Sequence, residues 1–255
     1  SKNRTKINNL TIFNKKVSLF NCPVCQYSFT EKPYWLKESY NSIINDTDIG
    51  LLRRNIFNSN FVYSVFNYLG YKDSKLIDIA GGYGVLVRLL RDKGIDAFWE
   101  DKYCENIFAK PFTNNNFKNN YKIATGFEYM EHLENPLSEL DNIFKNYSKN
   151  FLFSTLLLPK PAPMPDNWWY YGQEHGQHIS FYRVETLEYI AEKFQKKLTT
   201  NRINYHMIGD DSINKIVFKI LLKICSFYNF FKKNNKNYLN SDYKYIIKRN
   251  YEDIL

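Results

Sequence analysis

The chain has 255 residues, 44% of them hydrophobic, with 20 Phe and 21 Tyr, enough for one real core with appendages. Its net charge of +9 gathers at the ends: Lys2, Arg4, Lys6, Lys15 and Lys16 give residues 1–16 a charge of +5, residues 215–249 carry +8, and the remainder carries −4. That distribution argues against nucleic acid as the partner of the central region. Four scattered cysteines argue against a disulfide framework, and no apolar run reaches the ~20 residues of a bilayer span.

The first 30 residues are polar and show no leader-like apolar region, so a reducing cytoplasm is the expected location. Cys22-Pro-Val-Cys25 has the spacing of half a zinc knuckle, yet no second Cys-x-x-Cys or His pair completes four ligands, and the pair reads as a turn. Residues 33–70 read as helical. Trp35, Leu36, Tyr40 and Ile43 make one stripe, Ile56, Phe57, Phe61, Val65, Phe66 and Leu69 a second, closed by Gly70. A polar bend between them leads to adjacent Arg53 and Arg54.

Next comes the stretch around which the chain is organised. Leu76, Ile77 and Ile79 form a short buried strand, and Val85, Leu86, Leu89 and Leu90 repeat at helical spacing until Gly94. Between them, Ala80-Gly81-Gly82-Tyr83-Gly84 lets backbone approach a ligand at a helix N-terminus, which points to a nucleoside cofactor. Ala97-Phe98-Trp99 is a second strand ending at Glu100 and Asp101. Asp101 lies about 20 residues past the glycines, where a ribose-binding carboxylate is expected. A dinucleotide fold would want glycine at position 87; Val87 there argues against NAD. Tyr121–Phe127 reads as a third strand, delivering Glu128 and then Glu131-His132 at its carboxyl end.

Asp78-Ile-Ala-Gly-Gly-Tyr-Gly84, then Asp101, then Phe127-Glu-Tyr-Met-Glu-His132 resembles the class I S-adenosylmethionine-dependent methyltransferases. The resemblance runs from Leu76 to a strand ending near Leu158, and more loosely through His178–Leu187. It implies an α/β fold with a Rossmann-like sheet, helices on both faces and a helical N-terminal lid. It also implies S-adenosylmethionine as cofactor, held by Asp78, Ala80, Gly81, Gly82, Gly84, Asp101, Phe127, Glu128 and His132. Two departures stand out. Ala80 replaces the family's first glycine, and the Asn-rich segment 113–120 lacks the acid that usually meets the adenine amino group. With the N-terminal helices as a lid, Arg53 or Arg54 would fork two hydrogen bonds onto a cofactor carboxylate or a substrate phosphate.

Asn135 and Pro136 open a helix bearing Leu140, Ile143 and Phe144, followed by a strand over Phe151–Leu158. Prolines 159, 161, 163 and 165 then force an extended loop before Trp168-Trp169-Tyr170-Tyr171-Gly-Gln-Glu174-His175-Gly-Gln-His178. Aromatic faces stack on a sugar ring while carboxylate and imidazole engage its hydroxyls, so the four aromatics are candidate substrate contacts. His175 is the candidate general base with Glu174 to orient it, and His178 matches a position that recurs in the resembled family. No acid cluster for a divalent metal is evident beside the two histidines, and no metal is expected.

Leu187, Ile190, Ala191 and Phe194 stripe a further helix, and Lys197–Ile208 and Ile213–Leu222 read as closing antiparallel strands. The expected division is an N-terminal segment and lid at 1–70, a methyltransferase domain at 71–223 and a basic aromatic tail at 224–255. That tail is expected to pack on the core, with a homodimer contact or an anionic membrane surface as its alternatives. The expected activity is O-methylation of a sugar hydroxyl, on a nucleotide-linked or surface-glycan precursor. Methylation of a phenol, quinone precursor or RNA, and a non-catalytic binding module, are the alternatives.

Overall fold

The computed structural model describes residues 4–40, 50–114 and 121–225. Ten strands and six α-helices alternate along them. In chain order they are β1 (Thr5–Ile12), β2 (Lys15–Asn21), β3 (Ser28–Thr30), α1 (Leu36–Ser39), α2 (Leu51–Tyr68), β4 (Lys75–Ile79), α3 (Val85–Asp92), β5 (Asp96–Glu100), β6 (Ile123–Gly126), α4 (Pro136–Asn146), β7 (Asn150–Ser154), β8 (Ser180–Phe181), α5 (Val184–Lys193), β9 (Lys197–Thr200), β10 (Tyr205–Gly209) and α6 (Lys215–Ile224). A six-stranded mixed sheet has the order β5-β4-β6-β7-β10-β9, and a four-stranded sheet has the order β1-β2-β3-β8. No helix among the described residues is long and apolar enough to cross a membrane.

The chain divides into two units that interleave along the sequence. The unit formed by residues 48–125, 146–148 and 216–255 holds the glycine-turn machinery. β4 pairs in parallel with β5 and β6, with Ile77 opposite both Phe98 and Ala124. Parallel pairing needs a crossover, and α3 supplies it between β4 and β5. Gly94, at φ +82°, ends that helix because its amide and that of Ile95 reach back to the Arg91 and Leu90 carbonyls. Arg91 is buried here without penalty. Its guanidinium meets Asp96 at 2.7 Å and the Ala97 carbonyl at 3.0 Å, and lies 3.6 Å over the Phe112 ring.

The sequence expectation of a strand over Ile213–Leu222 fails, because residues 215–222 lie in the helix α6. Its apolar run is nearly continuous, so periodicity alone does not separate helix from strand. The informative signal was Lys215, Lys219 and Lys223, every fourth residue, with Phe218 alone turned inward against Phe61 of α2.

The other unit comprises residues 1–47, 126–145 and 149–215. Residues 5–30 carry β1–β3, strands absent from the sequence expectation. Leu10 and Ile12 on β1 and Val17 and Leu19 on β2 alternate inward and are fully buried. Phe13 and Asn14 join the strands with φ of +48° and +60°, the twist that suits a two-residue hairpin. This apolar face packs with Trp35, Trp168, Tyr170, Tyr171 and Phe181 in one core cluster. The expected strand over Phe151–Leu158 ends at Ser154, and Lys197–Ile208 is a hairpin in which Asn201 Oδ1 accepts the amides of Ile203, Asn204 and Tyr205. Expectations for residues 41–49, 115–120 and 226–255, including the basic tail, lie outside the described residues.

His206 on β10 is fully buried between Thr200 Oγ1 at 2.7 Å and the Thr155 carbonyl at 3.0 Å. Burial pushes its pKa down from 6.5 to about 4. The unfolded chain therefore takes up this proton as pH falls from 6.5 towards 4 while the folded chain does not. The stability this site contributes is full above pH 6.5 and declines across that window by about 3 kcal/mol. An NMR titration should show the His206 ring neutral until pH nears 4; a midpoint near 6.5 would show a hydrated ring.

Candidate functional site

In the unit that carries β4 and β5, the glycine turn is built by a convergence of backbone and carboxylate. β4 ends at Ile79, and Ala80, Gly82 and Gly84 all take positive φ, at +55°, +54° and +85°. Ala80 thus holds a conformation that costs an L-residue about 1–2 kcal/mol, which is where the departure from glycine is felt. A β-carbon on Gly81 would sit 2.6 Å from Trp99 Cδ1, and one on Gly84 2.5 Å from Asn106 Oδ1. On Gly82 it would meet nothing within 4 Å, so the backbone there is open to approach. Asp101 organises the turn: Oδ2 accepts the Gly82 amide at 3.0 Å, and Oδ1 accepts those of Tyr103 and Cys104 at 2.8 and 2.9 Å. Glu100 Oε2 accepts Asn114 Nδ2 at 2.8 Å. Asp78 is buried and held by Thr125 Oγ1 at 2.6 Å; burial, aided by the Asp101 charge, raises its pKa to about 7.

Asn106 was missed by sequence reasoning. Buried, it accepts the Ala109 amide and donates to the Ala109 carbonyl and Thr113 Oγ1, at 2.8–3.1 Å, closing the loop that follows Asp101. A lone Asn in a chain rich in Asn carries no signal of this role.

In the other unit, a buried cluster joins the end of β6 to the loop that precedes β8. Glu131 is fully buried; Tyr170 donates its hydroxyl to Oε1 at 2.6 Å, and Oε2 has no hydrogen-bond partner among the described residues. Burial, with the Glu128 charge, raises the Glu131 pKa well above its usual range. His178 Nδ1 lies 2.7 Å from the Tyr170 carbonyl, and His132 Nδ1 lies 3.1 Å from the Gln177 carbonyl and 3.2 Å from the Tyr40 hydroxyl. Burial lowers the pKa of both rings, that of His132 to about 4. Glu128, at φ +51°, has its amide on Ser154 Oγ. N-terminal residues brace the loop: Trp35 Nε1 donates to the Gly176 carbonyl at 2.9 Å, and Gln177 Nε2 to that of Ser39 at 2.9 Å.

A methyltransferase-domain family model matches residues 57–200, more than half the chain. The chain belongs to the class I S-adenosylmethionine-dependent methyltransferases. No curated protein matches it significantly in sequence. Among solved structures, TnmH superposes with a TM-score of 0.51 at 11% identity, over 71% of this chain and 62% of that one, so the chain spans less than two thirds of the length of TnmH. The 1,6-didemethyltoxoflavin-N1-methyltransferase of Burkholderia thailandensis, solved with bound 1,6-didemethyltoxoflavin and S-adenosylhomocysteine, superposes with a TM-score of 0.52 at 10% identity, over 80% of this chain and all of that one. These likenesses establish the fold.

The cofactor of this methyltransferase is S-adenosylmethionine, and the glycine turn fits it. Gly82 leaves the space a close-approaching ligand needs, beside the N-terminus of α3, where unpaired amides suit a carboxylate. The structure brings Asp78, Ala80, Gly81, Gly82, Gly84 and Asp101 together. Phe127, Glu128 and His132 belong to the other unit, with His178 beside His132 at a ring-centroid distance of 5.0 Å. Arg53 and Arg54 are exposed on the first turn of α2.

Two expectations about the loop need correction. Trp168, Tyr170 and Tyr171 are buried in the hydrophobic cluster with β1 and β2, because an apolar sheet face was available to cover them; only Trp169, 74% exposed, presents a face to solvent. Sugar stacking by all four aromatics is therefore excluded. His175 is half-buried and its Nδ1 accepts the Gln177 amide at 3.1 Å, which places the proton on Nε2. Burial lowers its pKa, opposed by the charge of the exposed Glu174. As a base it would have to relinquish the Gln177 bond.

Proposed function

We propose that this methyltransferase transfers the methyl group to a hydroxyl, and that the acceptor is a sugar, on a nucleotide-linked or surface-glycan precursor. The supporting observation is the solvent-facing Trp169 on the loop that carries Glu174 and His175: an indole face for the apolar side of a pyranose, with a carboxylate and an imidazole for its hydroxyls. S-adenosylmethionine supplies an already activated methyl group. The protein's contribution is then to hold the donor at the glycine turn, to orient the acceptor oxygen, and to receive one proton on the His175 imidazole, whose Nδ1 must first release the Gln177 amide.

A flat aromatic acceptor is the second reading. It is favoured by the same indole face and by the heteroaromatic substrate named for the Burkholderia structure. Incubation with labelled S-adenosylmethionine and parallel sets of nucleotide sugars and phenols tests both. Label in sugar products is expected, and Trp169→Ala should raise KM about 5- to 30-fold, the loss of ~1–2 kcal/mol of stacking, with kcat little changed. Label confined to phenolic or nitrogen-methylated products would overturn the sugar assignment.

A further inference from the structure

We propose that Glu131, His132 and His178 form a binding site for one divalent transition-metal ion. One ligand atom from each residue lies within 4.8 Å of the other two. Ligands held ~2.1 Å from a tetrahedral ion stand about 3.4 Å apart, so small side-chain rotations close the remaining distance. Two nitrogens and one carboxylate oxygen are the donors that suit zinc, iron(II) or manganese.

The hydrogen bonds around the cluster prepare each donor. A carbonyl only accepts, so His178 Nδ1, at 2.7 Å from the Tyr170 carbonyl, must carry the proton, which leaves the Nε2 lone pair available. His132 is set the same way by the Gln177 carbonyl. Metal-bound histidines show this arrangement, the second nitrogen donating to a carbonyl that fixes tautomer and orientation. The carboxylate is the independent sign. Glu131 is 0% exposed, one oxygen is satisfied by Tyr170, and the other has no partner among the described residues. A buried carboxyl oxygen without a hydrogen-bond partner is costly in either protonation state, and a cation on it removes the cost. His132 is only half-buried and gives the cluster its access to solvent.

The sequence concealed this site because the fold, not proximity in the chain, brings His178 to Glu131-His132. Three protein ligands leave open positions for an oxygen of the acceptor, a role that rests on the O-methylation reading. The binding itself does not rest on it.

The test is titration of the chelator-treated full chain with Co2+ as a spectroscopic probe and Zn2+ by calorimetry. One ion per chain with a micromolar or tighter dissociation constant is expected. Glu131→Gln, which preserves shape and an acceptor for Tyr170, and His178→Gln should each weaken it at least 10-fold. Cys22→Ser with Cys25→Ser should leave it unchanged. Circular dichroism checks folding of every variant, and His132→Gln, at the half-buried edge, replaces any that fails. Binding no tighter than about 1 mM, a Glu131→Gln chain that binds like the parent, or a thiolate-to-cobalt band abolished by the serine variant would each overturn the site. Metal bound as expected by a chain that labels no hydroxyl would overturn the acceptor assignment and leave the site standing.

Discussion

Replacing Gly84 with alanine should lower the stability of this methyltransferase by about 2–5 kcal/mol, the sum of two effects. The first is backbone strain: φ is +85°, and an L-residue there costs about 1–2 kcal/mol. The second is collision. The new methyl carbon would stand 2.5 Å from Asn106 Oδ1 and 3.3 Å from Ala109, and Asn106 cannot swing aside without breaking bonds to Ala109 and Thr113. Losing a buried amide's partners costs about 1–3 kcal/mol. A fall in Tm of roughly 4–20 °C follows, at ~2–4 °C per kcal/mol for a chain of this size. Gly82→Ala is the contrasting variant. Its φ is also positive but no atom lies within 4 Å, so only the strain is expected, together with weaker cofactor binding because the methyl fills the space of approach. In the double variant Gly84→Ala/Asn106→Ala the collision disappears, so the two losses should sum to less than their separate values. A Gly84→Ala protein as stable as its parent would show that the loop closed by Asn106 is not held as described.

The second large effect is on cofactor affinity. Asp101→Ala should weaken S-adenosylmethionine binding at least 10-fold, measured by calorimetry. Loss of charged hydrogen bonds worth ~1.5–3 kcal/mol sets that scale. The carboxylate accepts the amides of Gly82, Tyr103 and Cys104, so the variant loses the anchor of the turn together with the carboxylate proposed to hold the ribose. Asp101→Asn separates these roles. One amide oxygen can keep the Tyr103 and Cys104 bonds, so partial recovery of stability without recovery of affinity identifies the charge itself as the contact. An unchanged dissociation constant in Asp101→Ala would move the ribose assignment to Glu100, the last residue of β5.

Much of the central region was legible because local signals there agree. β4, α3, β5 and α4 each pair a clear apolar period with a glycine or proline near a boundary, so propensity and packing point the same way. β1 and β2 escaped for the opposite reason. Their inward residues Leu10, Ile12, Val17 and Leu19 do alternate, but the outward Asn, Lys and Thr look like the compositional background of the whole chain. Missing that sheet led directly to the misreading of Trp168, Tyr170 and Tyr171. Without an apolar face to cover, four aromatics beside polar groups read as a binding surface. The α6 segment shows a third kind of failure, a β-branched apolar run whose period is unreadable except through its lysines. Asp78, the glycines and Asp101 form a contiguous motif and were found. Asn106 and the pairing of His178 with Glu131 depend on loops whose course no spacing rule describes.

Of the four tryptophans, Trp99 has a setting the others lack. Its indole nitrogen donates to the Gly82 carbonyl at 2.8 Å, and its ring edge lies against Gly81. The chromophore is thus wired to the backbone that must move or stiffen when a ligand settles on the glycine turn. Its emission is therefore expected to change with occupancy of the turn without an added label, while Trp35 and Trp168 in the other unit report on a different part of the molecule.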